Sequence, residues 1–167
     1  NKRLLLLAPG ETSRSTWGEL FEVPKTADTT RVVFNRIPRN GLELHLAGAS
    51  SEVPSGFMLC DLLLKPGEVF RMHTEDLSDF YPAFDASFAR GATNVVGRVW
   101  PTNAFSGTDA LKNFAARRRR IGLGMTSKVL AANLGLVMGD VNATDFAVSA
   151  HSSLLDCLLY TSPSPRD

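Results

Sequence analysis

Cysteine is scarce: Cys60 sits in an apolar run and Cys157 in a terminal segment set aside below, which leaves no disulfide framework and no metal-ligand spacing. A reducing, intracellular setting, cytoplasmic or nuclear, is the expectation. Histidine is equally thin, and His45, His73 and His151 are too dispersed to suggest a metal site, so core or surface roles are expected of them. No apolar run approaches the roughly 18 residues that a membrane helix needs, so a soluble protein with no membrane partner is expected. Asn1-Lys2-Arg3 followed by Leu4 to Leu7 imitates a signal peptide, but the apolar run is too short and no initiator Met precedes it, which suggests an internal start. An excess of one charge is missing too. Eighteen Lys and Arg against 17 Asp and Glu give +1, a total that can hide a basic groove because the basic residues cluster.

What is present suits a globular domain. The chain has 167 residues, 44% hydrophobic and 21% charged, enough for one domain that buries about 70% of its unfolded surface. No internal repeat is visible. The last eleven residues, 157–167, read Cys-Leu-Leu-Tyr-Thr-Ser-Pro-Ser-Pro-Arg-Asp and look like a translated transposase-type sequencing-library adapter. Such a scar stays out of fold reasoning, and a natural Ser-Pro linker is the alternative.

Residues 20–25 and 30–36 are β-prone runs separated by the polar stretch Thr26-Ala27-Asp28-Thr29, a hairpin signal. Pro38, Asn40 and Gly41 then predict a loop. Phe57, Met58, Cys60, Leu62 and Leu63 predict a buried helix over 55–64, stopped by Pro66-Gly67. A strand is expected over 69–77, followed by a helix capped by Ser78 with Phe80, Phe84 and Phe88 four residues apart. The stretch 90–106 has no clean period and predicts loop, with room for short strands. A basic helix over 110–120, an apolar strand over 129–137 and a helix over 142–155 complete the reading, the last with Ala143, Phe146, Ala147, Ala150 and Leu154 on one face.

The segment Glu75-Asp76-Leu77-Ser78-Asp79-Phe80-Tyr81-Pro82-Ala83-Phe84 places an aspartate at a strand-to-helix junction with an aromatic five residues on. It resembles motif A of the reverse transcriptases. Nucleotidyl transfer needs carboxylates that hold two divalent ions about 3.5–4 Å apart. The resemblance implies that Asp76 is the first such ligand, for Mg²⁺ or alternatively Mn²⁺, since hard oxygen ligands suit these ions. It also implies that Tyr81 is the steric gate against a ribose 2′-hydroxyl and that Asp79 sits by the triphosphate. Taken alone, Asp79 is as readily a helix cap and Tyr81 a packing residue.

Upstream, Phe21-Glu22-Val23-Pro24-Lys25 and Arg31-Val32-Val33-Phe34-Asn35-Arg36 resemble the fingers hairpin of the same family, which implies that Lys25 and Arg31 fold onto the incoming triphosphate. Charge-assisted bonds to phosphate are the stronger kind. An ordinary surface hairpin is the plainer alternative. A third segment, Leu136-Val137-Met138-Gly139-Asp140-Val141-Asn142-Ala143-Thr144-Asp145-Phe146-Ala147, is similar to the motif B region of a divergent group of eukaryotic retroelement polymerases. That similarity puts Met138 against the nascent base pair and Gly139 where backbone must approach closely. Two departures are Asn35, where an aspartate is common, and Met138, where Pro-Gln precedes the glycine in the more familiar pattern.

The three segments in order imply an RNA-directed DNA polymerase of a eukaryotic retrotransposon. The fold then expected is α+β: fingers and a partial right-hand palm, an antiparallel sheet backed by helices. Residues 1–17 would be an N-terminal fragment or linker, 18–156 the partial fingers and palm, and 157–167 the artefactual tail. RNA template, DNA primer and deoxynucleoside triphosphates are the implied partners. The aromatic-x-Asp-Asp hairpin that supplies the other carboxylates is not in the sequence, so the fragment itself is expected to be inactive. Arg117, Arg118, Arg119 and Arg120 suggest template-backbone contact, each phosphate contact contributing about 0.9 to the salt slope; a solvated face or a localisation signal is the alternative. Two other readings stay open: a degenerate polymerase-like domain that grips nucleic acid without catalysis, and an unrelated α+β domain.

Overall fold

A computed structural model describes residues 3–53, 55–72, 74 and 80–161 of the chain. Its centre is an antiparallel sheet of Leu4–Leu7 (β1), Val95–Pro101 (β4) and Lys128–Asn133 (β5), in the order β1-β5-β4. A separate antiparallel hairpin joins Glu19–Pro24 (β2) to Thr30–Asn35 (β3). Helices are Ile37–Asn40 (α1), Phe80–Ala83 (α2), Phe88–Gly91 (α3), Asp109–Arg120 (α4) and Ala143–Thr161 (α5). The fold is therefore mixed α+β with antiparallel sheets. No helix among the described residues is long and apolar enough to cross a membrane.

The four leucines of β1 form an edge strand, paired from Leu4↔Asn133 to Leu7↔Leu130, although they lie in the stretch expected as fragment or linker. Their run suits a strand covered on both faces, where alternation disappears. On one face Leu6 and Val129 pack with Ala110 and Phe114 of α4; on the other Leu7, Leu130, Ala132 and Val95 pack with Trp17 and Ala92. Thr108 caps α4, its Oγ1 accepting from Leu111 N at 3.2 Å, which satisfies one of the free amides of the first turn.

The hairpin joins the sheet where Gly18 pairs with Val96, Gly18 N donating to Val95 O at 2.9 Å. A Cβ on Gly18 would fall 2.6 Å from both the Phe34 ring and Asn35 O, so only glycine lets the hairpin root come this close.

Several expectations change. Over 55–64 the structure has a 3₁₀ helix, Gly56–Asp61, instead of a buried α-helix, and Phe57 and Leu63 are 83% and 93% exposed. Apolar spacing produces burial only where another element covers it, and nothing described covers this one. Residues 69–72 and 74 are exposed and belong to no strand, while 75–77 and the Ser78 cap lie outside the described residues. Phe80, Phe84 and Phe88 do not share one helix. The chain breaks after Ala83, Ala86 N donates to Leu134 O at 2.7 Å, and Ser87 starts α3 by capping Arg90 N. The Phe80 and Phe84 rings still meet edge to face at 5.0 Å.

The stretch expected as loop contains the seven-residue β4, whose register shift between Val95 and Val99 accounts for the missing alternation. Conversely, β5 ends at Asn133, four residues before the expected Val137, because Leu134 and Gly135 turn to meet Arg3 O and Asp85. The expected loop at 38–41 begins as the single turn of α1, and α5 runs past Leu155 to Thr161, into the segment read as adapter.

Candidate nucleotide and nucleic-acid site

The polar stretch 26–29 closes the hairpin as a turn: Lys25 N and Thr26 N donate to Thr29 O at 2.9 and 3.1 Å, and the Thr26 and Thr29 hydroxyls lie 2.6 Å apart. Cross-strand pairing of Val23 with Arg31 then puts Lys25 and Arg31 beside one cleft of about 260 Å³, with Val23, Pro24 and Val33 as its other walls. Both cations are exposed at the far end of the hairpin.

At the near end, the turn carrying Met138 and Gly139 docks against the hairpin root. Gly139 has φ +96°, and a Cβ there would lie 2.8 Å from Phe34 O, so both conformation and contact require glycine. Asn40 Nδ2 donates to Gly139 O at 2.7 Å. Met138 is half exposed. From Phe34 to Arg31 is three residues, about 10 Å along a strand, so the turn meets β3 well short of the end that carries Lys25 and Arg31.

Tyr81 is partly buried in α2, its ring 6.2 Å from that of Phe80. Asp76 and Asp79 lie outside the described residues. Among the described residues no group of three or more His, Cys, Asp or Glu is placed to hold a metal ion.

The arginine run is divided by the fold. Arg117 is half-buried, pairs with Glu11 through both guanidinium nitrogens, donates to Leu6 O at 3.0 Å and lies 4.7 Å from the Phe88 ring centroid. Burial raises the Glu11 carboxyl, but bonding to Arg117 and to Ala8 N outweighs it and holds the group below its ordinary value. Arg118 donates twice to Gly124 O, at 2.9 and 2.8 Å. Arg119 and Arg120 are the exposed pair, available to phosphate.

Behind the Gly139 turn lies a charged cluster that sequence reasoning missed. The Arg36 side chain is fully buried; its Nε donates to Asn94 Oδ1 at 2.8 Å, while its terminal nitrogens reach Asn40 Oδ1 at 3.0 Å, Glu43 and Thr93 at 2.6 Å and Asp140 at 3.3 Å. Arg90 bridges the same two carboxylates, Glu43 at 2.6 Å and Asp140 at short range, and Arg39 adds a 3.0 Å contact to Glu43. Desolvation pushes the Glu43 carboxyl up, but Arg36, then Arg90 and Arg39, bring it down to about 2. Three arginines face two carboxylates; the fully buried one, Arg36, touches both Glu43 and Asp140, and such direct pairing is how a buried charge tolerates low dielectric. A local signal existed: Phe34 is the inward position of β3, so Arg36, two residues on, points inward as well.

Asn142 extends the same region. It accepts from Leu46 N and donates to Leu44 O, both at 2.9 Å, and Asp145 accepts from Ser50 N at 3.0 Å. The segment 44–50, which runs into the 3₁₀ turn Ala49–Glu52, is thereby fastened to the start of α5.

No protein-family model matches the chain, and no curated protein or solved structure matches it. The fold and site define a mixed α+β protein in which an antiparallel hairpin carrying Lys25 and Arg31 and a glycine turn meet over a buried ionic cluster.

Proposed function

We propose that the chain is the fingers and partial palm of a reverse transcriptase, an RNA-directed DNA polymerase of a retrotransposon. One observation supports the reading above the rest: the Met138–Gly139 turn packs against Phe34 at the root of the hairpin that carries Lys25 and Arg31, and is bonded to Asn40 of α1, which follows that hairpin. Segments more than a hundred residues apart, which resemble two parts of one nucleotide site, are thus joined through Asn40.

On this reading Lys25 and Arg31 neutralise the triphosphate of an incoming deoxynucleotide, an arrangement suited to charge-assisted bonds. Asp79 lies by the triphosphate, Tyr81 fills the volume of a 2′-hydroxyl, and Gly139 lets the backbone approach the nascent pair beside Met138. Asp76 is offered as the chain's ligand for Mg²⁺, which when bound would stabilise charge on the reacting phosphate. One carboxylate does not hold two ions productively, so the further ligands belong to a longer protein carrying this chain. Arg119 and Arg120, exposed at the end of α4, are offered as contacts for template phosphates.

The test is primer extension by that longer protein, with RNA template, DNA primer and Mg²⁺. Asp76→Asn should abolish synthesis while template–primer binding persists; full turnover by the variant would sink the ligand assignment. Tyr81→Ala should raise ribonucleotide use. A wild-type protein that binds the duplex without extending it would instead be the nucleic-acid-binding relic.

A further inference from the structure

Met138 stands half exposed on a turn whose backbone is already closed locally, by Asp140 N to Val137 O at 3.1 Å and Ala143 N to Asp140 O at 3.0 Å. A second set of bonds reaches the turn from α1, just beyond the hairpin, and its purpose is not local closure. Asn40 accepts from Val141 N at 3.3 Å and donates to Gly139 O at 2.7 Å, so one amide grips the peptide groups on both sides of Asp140. Its orientation is unambiguous. Arg36 and Val141 N both offer protons to Oδ1, and Gly139 O requires one from Nδ2.

Arg36 in turn is immobilised by Asn94, Thr93 and Glu43, and reaches Asp140 directly. Three consecutive residues, Gly139 to Val141, are therefore fixed relative to β3 by a buried, fully occupied arginine and one asparagine. The Met138 side chain, half exposed, is what the grip presents outward.

We infer that Asn40, braced by Arg36, is a positioning residue: it fixes the angle at which the Met138–Gly139 turn meets the nascent base pair, and so sets discrimination between matched and mismatched nucleotides. This rests on the polymerase reading above. A side chain held at fixed height against a base pair penalises the altered shape of a mispair; the same side chain on a loosened turn yields to it. Loss of one hydrogen bond to the turn corresponds to a change of a few-fold to about tenfold.

The experiment uses the longer protein carrying this chain, extending a DNA primer on an RNA template with Mg²⁺ and one deoxynucleotide at a time. For Asn40→Ala, the ratio of matched to mismatched kcat/KM should fall about tenfold. A merely structural role would lower both values in proportion, and an unchanged ratio overturns the inference. If the wild type extends nothing, the polymerase reading fails, and the positioning claim is decided on the 167-residue chain by amide exchange. There Val141 should exchange at least about tenfold faster in Asn40→Ala, with Leu130 in β5 unchanged; an unaltered Val141 rate would overturn it. Should Asn40→Ala not fold, Asn40→Asp keeps the acceptor for Arg36 and Val141 N, exchanges the donor to Gly139 O for a second acceptor and adds a charge beside Arg36. It should keep Val141 protected while the mismatch ratio still falls, and an unmoved ratio in that variant overturns the inference equally.

Discussion

Replacing Glu43 by glutamine removes one charge from the cluster while keeping its shape and most of its hydrogen-bonding capacity. The side chain is 6% exposed and contacts Arg36 and Arg90 at 2.6 Å and Arg39 at 3.0 Å. Its carboxyl is lowered from 4.5 to about 2, so ionisation favours the folded protein by roughly 3 kcal/mol at pH 7. Because the folded value lies below the unfolded one, this contribution is complete above 4.5 and is lost as pH falls towards and through 2. Urea unfolding followed by Trp17 and Trp100 fluorescence should show Glu43→Gln less stable by roughly 3 kcal/mol at pH 7, and the gap should shrink to less than half at pH 3. A gap below about 1 kcal/mol at pH 7, or one that ignores pH, would refute the reasoning that the three arginines outweigh desolvation.

Gly139→Ala forces a Cβ to within 2.8 Å of Phe34 O at φ +96°, and should cost about 2 kcal/mol or more. A thermal midpoint equal to wild type would contradict that turn geometry. Phe114→Ala empties the contact between α4 and the sheet, where the ring is 2% exposed, with an expected loss of about 3–5 kcal/mol in the same urea assay. Arg117→Met should lower stability by about 1 kcal/mol and, on the proposed polymerase reading, leave the salt dependence of nucleic-acid binding unchanged. Arg119→Ala should do the reverse, reducing the salt slope by about 1 with no change in melting; equal slopes for the two variants would show that the run is not divided as described.

Elements with a local cause were legible. The hairpin follows from two β-prone runs around 26–29, and its strands begin and end within a residue of expectation. The basic helix α4 and the body of α5 also follow from periodicity. Elements fixed by distant partners were not legible. The four leucines of β1 resemble a leader until β5 is beside them, and β4 hides behind a register shift and Gly97. The segment from Leu42 to Met72 is rich in apolar residues, yet Leu44, Phe57, Leu63 and Val69 are all more than three-quarters exposed. Pattern reports which residues would gain from burial, not whether a surface exists to receive them.

The candidate site divides in the same way. Lys25 and Arg31 share a cleft because they flank one turn, a relation visible from their spacing. The link from Arg36 to Asp140 spans 104 positions and leaves only a parity clue at Phe34. The Arg117 pairing with Glu11 is equally remote, which is why a run of four identical residues reads as one feature in sequence and as two in space.

The order β1-β5-β4 has a kinetic corollary. Leu4–Leu7 must wait for a partner that lies beyond residue 127, so on a ribosome adding roughly 5–20 residues per second a greasy tetrapeptide stays unpaired for many seconds. The hairpin, by contrast, can zip in microseconds once its turn emerges. Of the three strands of this sheet the last to be made is the one that closes it, and until it arrives the nascent chain offers chaperones a sticky handle at Leu4–Leu7.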